Sequence, residues 1–263
     1  MLDKLHSKFI ENTPLLLRSK GAIKEALFVE ENLEDFKKSV MCIDIIEFSF
    51  LRDFLPEGLR RNVPSKSKIK FEHLMLERVP SFLEDIFASI CNRFGVRYRY
   101  ADSAIKILYQ KAKDNLKEDN KTEFIRNVGK CCHIIQDICI PMHCKEISKI
   151  NDVFNIFNCV DPYHKKFEKY CNKIFKLQDI DFDLSIQFEI PETILQIAKQ
   201  SRENFEKCSG VQFSSFIFET LKKLKFLKQN EEYKEIAKLA IATAQINTVL
   251  FIYKALNEGT KVL

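Results

Sequence analysis

GKCCHIIQDICIPMHC, residues 129–144, is the stretch from which the rest of the chain can be read. Upstream and within it, Phe124, Val128, Cys132 and Ile135 recur at helical spacing. That pattern predicts a helix over residues 120–139, stopped by Pro141. On such a helix His133 and Asp137 are four residues apart and share one face. His143 follows just after the stop. Further along, HKKFE (residues 164–168) repeats the spacing with His164 and Glu168, on a helix predicted over residues 162–175. Asp161 would be its N-cap and Pro162 its first helical residue. Imidazole and carboxylate at this spacing can reach one divalent ion at about 2.0–2.2 Å. A single H-x3-D pair is usually an ordinary hydrogen bond. Here, however, three of the chain's five histidines fall between residues 133 and 164 in repeated ligand-like spacing.

Outside this stretch the composition favours helix throughout. Six glycines and seven prolines in 263 residues are too few for the regular turns of an all-β fold. Apolar residues keep helical spacing at Leu33, Phe36 and Val40, at Phe82, Ile86, Ile90 and Phe94, and at Ala104, Leu108 and Ala112. A last helix is predicted over residues 231–256, ending before Gly259. Residues 55–67 and 151–161 read as loops. With no repeat or linker, the expectation is one all-α domain spanning residues 1–263.

The formal charge of +5 is mild and has no basic tract behind it, so it does not by itself mark a nucleic-acid binder. Nine cysteines without a CxxC pair suit a reducing compartment. The first residues lack the apolar core of a signal peptide, so a cytoplasmic location is expected, or secretion if the true N-terminus differs. The uncharged run over residues 239–253 is too short to span a bilayer and is interrupted by Gln245 and Asn247. Cys131, Cys132, Cys139 and Cys144 lie near the candidate ligands in sequence. A helix turns Cys132 about 100° away from His133, so these cysteines are read as packing residues.

The order G-x3-H-x3-D-x5-H followed by H-x3-E resembles the bacterial zinc-dependent phospholipases C, including the catalytic domain of alpha-toxin-like enzymes. Gly129, His133, Asp137, His143, His164 and Glu168 occupy that pattern, with Pro141 two residues before the third ligand and Phe167 as the aromatic before the glutamate. The likeness extends outward. LHSKFIENTPLLL resembles the family's first helix and nominates His6. NLEDFKK followed by FLRDF nominates Asp53, and FEHL nominates His73. IAKLAIATAQINTVLFIYKAL resembles the closing helix, and no β-sandwich is expected after it.

The resemblance implies about three zinc ions. Asp53, His73 and His133 would hold one, and Asp137 would bridge it to a second that also takes His6 and the amine and carbonyl of Met1. His143, His164 and Glu168 would hold the third. It further implies hydrolysis of a phosphodiester, most naturally a phospholipid, with Asp53 as general base. Zinc suits this by lowering the pKa of water and neutralising phosphoryl charge. The family's mature chains begin with tryptophan after signal cleavage, whereas this chain starts with Met1 and contains no tryptophan. A second resemblance is to the zinc-dependent single-strand nucleases of fungi and plants, in which the first histidine lies five residues after the N-terminal residue, as His6 does here. Those enzymes usually carry aspartate where this chain has Glu168, which favours the phospholipase reading. Phe54 could stack on a base or face a choline group and does not discriminate. A non-catalytic zinc-binding scaffold is the third reading, although a structural site needs only four ligands.

Overall fold

The computed structural model describes residues 2–41, 101–144, 162–175, 180–213 and 222–259. Among them there are eight α-helices, one 3-10 turn and no strand, so the all-α expectation holds. The helix expected around residues 82–94 and the loops expected at 55–67 and 151–161 lie outside the described residues.

Helix α1 (Leu2–Ser19) buries Leu5, Phe9, Leu16 and Leu17, and places His6, Ile10 and Thr13 along the same inward flank. It ends where Gly21 takes a φ of 80°. Ala22 N–H donates to Leu17 O at 3.0 Å and Gly21 N–H to Arg18 O at 3.0 Å, the paired closure that a left-handed residue makes possible. Two short helices follow, α2 (Ile23–Glu31) and α3 (Leu33–Met41). The expected trio Leu33, Phe36 and Val40 falls on α3, with Phe36 and Val40 fully buried.

Helix α4 (Ala101–Lys117) closes in the same way as α1, with Asp119 at φ 55° in the left-handed position. Helix α5 (Lys121–Ile138) begins at Asn120, whose side chain accepts from Glu123 N–H at 3.2 Å. That cap satisfies one of the four N–H groups a helix start leaves without a partner. Asn120→Ala is expected to lower stability by about 1 kcal/mol, read as an earlier urea midpoint with unchanged slope. An unaltered midpoint would show that the cap contributes nothing. From Val128 to Ile138 nearly every residue of α5 is buried, which is the pattern of a helix surrounded by others. Helices α3 and α4 and the C-terminal helix pack around it.

Pro141 ends the helical path. The chain turns through a 3-10 segment (Pro141–Cys144), in which His143 N–H donates to Ile140 O at 2.9 Å. Helix α6 (Pro162–Ile174) buries Phe167, Glu168 and Cys171. Its C-terminal turn is tied to α1 by Lys8, whose Nζ donates to Asn172 O at 3.1 Å and to Asn172 Oδ1 at 2.7 Å. Helix α7 (Glu192–Phe213) packs on the 3-10 turn.

The last helix, α8 (Lys222–Gly259), starts earlier than its apolar periodicity predicts. The added segment, KKLKFLKQN, is rich in strong helix formers but has too few apolar positions to announce a buried stripe. By length and composition alone Tyr233–Glu258 is long and apolar enough to cross a membrane, a test that a buried core helix also passes. The helix extends the uncharged run at both ends with Ile236, Ala237, Ala255 and Leu256, all buried. Because 61% of its most apolar stretch is buried, α8 packs as a core helix against α5 and α1.

Candidate metal centre

Five of the candidate ligands converge where α1, α5, α6 and the 3-10 turn meet. Asp137, in the last turn of α5 and 1% exposed, is the hub. Its Oδ2 lies 3.0 Å from His133 Nε2, one helical turn earlier. Its Oδ1 lies 3.2 Å from His6 Nε2 and 3.5 Å from His143 Nε2. His143 Nε2 is in turn 3.6 Å from Glu168 Oε1 on α6. Two groups result, His6 with His133 and Asp137, and His143 with Glu168 and Asp137, sharing the aspartate. In each, the donor atoms lie within 4.8 Å of one another.

These spacings suit a common ion. Two ligand atoms about 2.0–2.1 Å from a tetrahedral zinc are separated by roughly 3.3 Å along the tetrahedron's edge. The four observed separations, 3.0, 3.2, 3.5 and 3.6 Å, bracket that value. The donors are imidazole nitrogens and carboxylate oxygens, a set that zinc accepts readily. The residues present therefore fit the metal that the resemblance implies.

Local structure explains how two of the imidazoles are aimed. His133 Nδ1 sits 2.6 Å from Val40 O, in the last turn of α3. A carbonyl can only accept, so the proton is on Nδ1 and Nε2 faces Asp137. That contact requires α3 and α5 to approach closely, and Gly129 permits it. A Cβ built at Gly129 would stand 2.5 Å from Ser39 Cβ and 3.3 Å from Val40 N. His6 Nδ1 lies 2.7 Å from Gln136 Oε1, again leaving Nε2 toward Asp137. The His6 and His133 rings stack with centroids 4.2 Å apart and planes at 24°.

The neighbouring cysteines play a different part. Burial pushes the Cys131, Cys132 and Cys139 thiols well above their ordinary range, which disfavours the thiolate that zinc needs. Cys139 Sγ and Cys144 Sγ lie 3.1 Å from Ile135 O and 3.3 Å from Ile138 O, where each thiol donates to a carbonyl in the last turn of α5.

His164 falls on α6, one turn before Glu168. Its side chain, together with Met1, Asp53 and His73, lies outside the described residues. Reading the spacing alone missed the Val40 carbonyl, Gln136 and Thr248, whose hydroxyl lies 3.2 Å from Gln136 Nε2. No local pattern could have announced them, because their partners are 93, 130 and 112 residues away in sequence.

No family model and no curated protein matches the sequence. Among solved structures, the chain is similar to the crystal structure of Clostridium perfringens alpha-toxin from avian strain SWCP, with a TM-score of 0.55 and 14% identity. The match covers 99% of this chain and 65% of the toxin's, so the chain spans about two thirds of the length of that protein. The likeness is one of fold.

Proposed function

We propose that this protein is a zinc-dependent phosphodiester hydrolase of the phospholipase C type. The observation that carries the reading is the buried Asp137 carboxylate, whose two oxygens face different histidines and which belongs to both ligand groups. One structural zinc site would need only four ligands and no shared carboxylate. The alpha-toxin-like fold and the spacing of Gly129, His133, Asp137, His143, His164 and Glu168 support the same reading.

In this proposal His6, His133 and Asp137 hold one side of the centre, with Asp53, His73 and Met1 completing it. His143, His164 and Glu168 hold the other, for about three ions in all. Zinc so held supplies Lewis acidity to a phosphoryl oxygen and acidity to water. The chain's own residues do the rest. Val40 O and Gln136 hold the two imidazoles with Nε2 presented. Asp137 keeps the two ligand groups at a fixed separation, so that a phosphate group can be gripped from both. Asp53 accepts the proton of the attacking water. Glu168 in its H-x3-E setting favours a phospholipid over single-stranded nucleic acid as the phosphodiester.

The deciding experiment combines elemental analysis with hydrolysis assays on phosphatidylcholine micelles, single-stranded DNA and a chromogenic phosphodiester, with and without chelator. About three zinc ions per chain and chelator-sensitive lipid hydrolysis are expected. Less than one zinc per chain after reconstitution would overturn the metal reading. Cleavage of DNA with no lipid hydrolysis would move the protein to the nuclease side.

A further inference from the structure

Gln136 is fully buried on α5 next to Asp137 and belongs to no ligand pattern. We infer that Gln136, held in one orientation by Thr248 of α8, is a positioning residue that fixes the tautomer and aim of His6. This rests on the proposal that His6 ligates a metal ion.

The argument starts at a group whose polarity is fixed. Ala244 O in α8 can only accept, and Thr248 Oγ1 donates to it at 2.7 Å. With its proton committed there, the Thr248 hydroxyl offers a lone pair to Gln136, whose Nε2 donates to it at 3.2 Å. An amide has a nitrogen end and an oxygen end. Turning the nitrogen toward α8 therefore turns Oε1 toward α1, where it meets His6 Nδ1 at 2.7 Å. An amide oxygen cannot donate, so His6 carries its proton on Nδ1 and presents Nε2 to Asp137 Oδ1. Each step determines the next, from a backbone carbonyl in α8 to the metal-facing nitrogen of α1. His133 reaches the same orientation by one direct contact with Val40 O. His6 lacks a carbonyl in that place and uses a buried side chain as relay. All four participating residues, Ala244, Thr248, Gln136 and His6, are buried, so water does not compete for the bonds.

Outer partners that orient a metal-bound imidazole are generally worth about 10–100-fold in metal affinity. The simpler possibility is that Gln136 merely ties α1, α5 and α8 together, and the test separates the two. Gln136→Leu and Thr248→Val remove the relay with little change in volume, whereas Gln136→Glu and Thr248→Ser keep an acceptor for His6 and a hydroxyl in α8. Zinc affinity is measured by chelator competition, and thermal midpoints are recorded on the same samples. The tautomer of His6 is read from imidazole nitrogen shifts in the zinc-free protein at alkaline pH.

The expected result is a loss of about 10–100-fold in the affinity of one zinc in the Leu and Val variants, with the remaining zinc unaffected. The Nδ1–H form of His6 should be lost with it, whereas Thr248→Ser should behave as the parent does and Gln136→Glu, which keeps an acceptor at that place, should keep the Nδ1–H form. Lowered thermal midpoints with unchanged zinc affinity and an unchanged tautomer would overturn the positioning role. If the parent protein binds no zinc, the metal reading falls, and the tautomer alone decides. Its loss in Gln136→Leu upholds the relay, and its persistence sinks it.

Discussion

Asp137→Asn should abolish hydrolysis and strip more zinc from the protein than any other single ligand change among the described residues. The carboxylate offers two equivalent oxygens, one to His133 and the other to His6 and His143. An amide offers one oxygen and one NH2 group, and the NH2 group has no lone pair for a metal. With its NH2 group toward His133 the amide would fail one histidine of the His6–His133 group, and turned the other way it would fail His6 and His143 together, so in either orientation a donor stands where an acceptor is needed. The loss should therefore exceed the roughly 10–100-fold that an outer-sphere change costs. Glu168→Gln makes the same chemical change on one side only and should leave the His6–His133 side intact. Elemental analysis of the two variants, with circular dichroism to confirm equal helicity, reads the difference. Equal zinc content in both would count against a shared carboxylate.

Gly129→Ala should be the second most damaging change, although alanine is the better helix former by about 0.8–1.0 kcal/mol. The new methyl would sit 2.5 Å from Ser39 Cβ and 3.3 Å from backbone atoms of Ser39 and Val40. None of these is the flexible end of a side chain, so α3 must move away from α5. Overpacking of this kind costs about 1–3 kcal/mol, enough to offset the propensity gain and leave a net loss. Moving α3 also withdraws Val40 O from His133 Nδ1, so zinc affinity should fall along with stability. Ser39→Gly removes the nearest obstacle and should restore part of both in the double variant. Urea unfolding and zinc competition on the three variants provide the check. Parental stability and affinity in Gly129→Ala would show that the helices tolerate the methyl and that the close approach is not needed.

How much of this was legible in the sequence depends on how far each signal travels. Helix α5 was readable because its boundaries are local: Asn120 caps the start, Pro141 forbids continuation, and Phe124, Val128, Cys132 and Ile135 mark an inward stripe. The spacings that pair His133 with Asp137 and His164 with Glu168 are equally local. Helices α2 and α7 escaped notice, and the start of α8 was placed late, because lysine-rich or mixed segments show no clean apolar stripe and their helices are held largely by packing against the rest of the fold. His6 has no ligand-like neighbour in sequence and came only through resemblance. Val40, Gln136 and Thr248 were invisible for a deeper reason. Their roles arise where separate helices cross, and the crossing depends on choices such as Gly129 against Ser39 that no periodicity encodes.

The tying of α1 to the rest of the molecule has a consequence for the order in which the centre can come together. Asp137, His143 and Glu168 belong to a stretch of about thirty residues, whereas His6 meets Gln136 across 130. Closing the longer loop spans about two more doublings of chain length, at about 0.6 kcal/mol each. The short-range group can thus condense as soon as α5, the 3-10 turn and α6 meet, while the long-range group waits for α1 to dock. The same sequence runs backwards when the protein opens. Helix α1 carries both His6 and Lys8, so when it detaches it removes its imidazole and the lysine clamp on α6 together. Loop-closure entropy thus favours assembly of the centre in two stages, the inner one set by neighbouring residues and the outer one by the first helix acting as a latch.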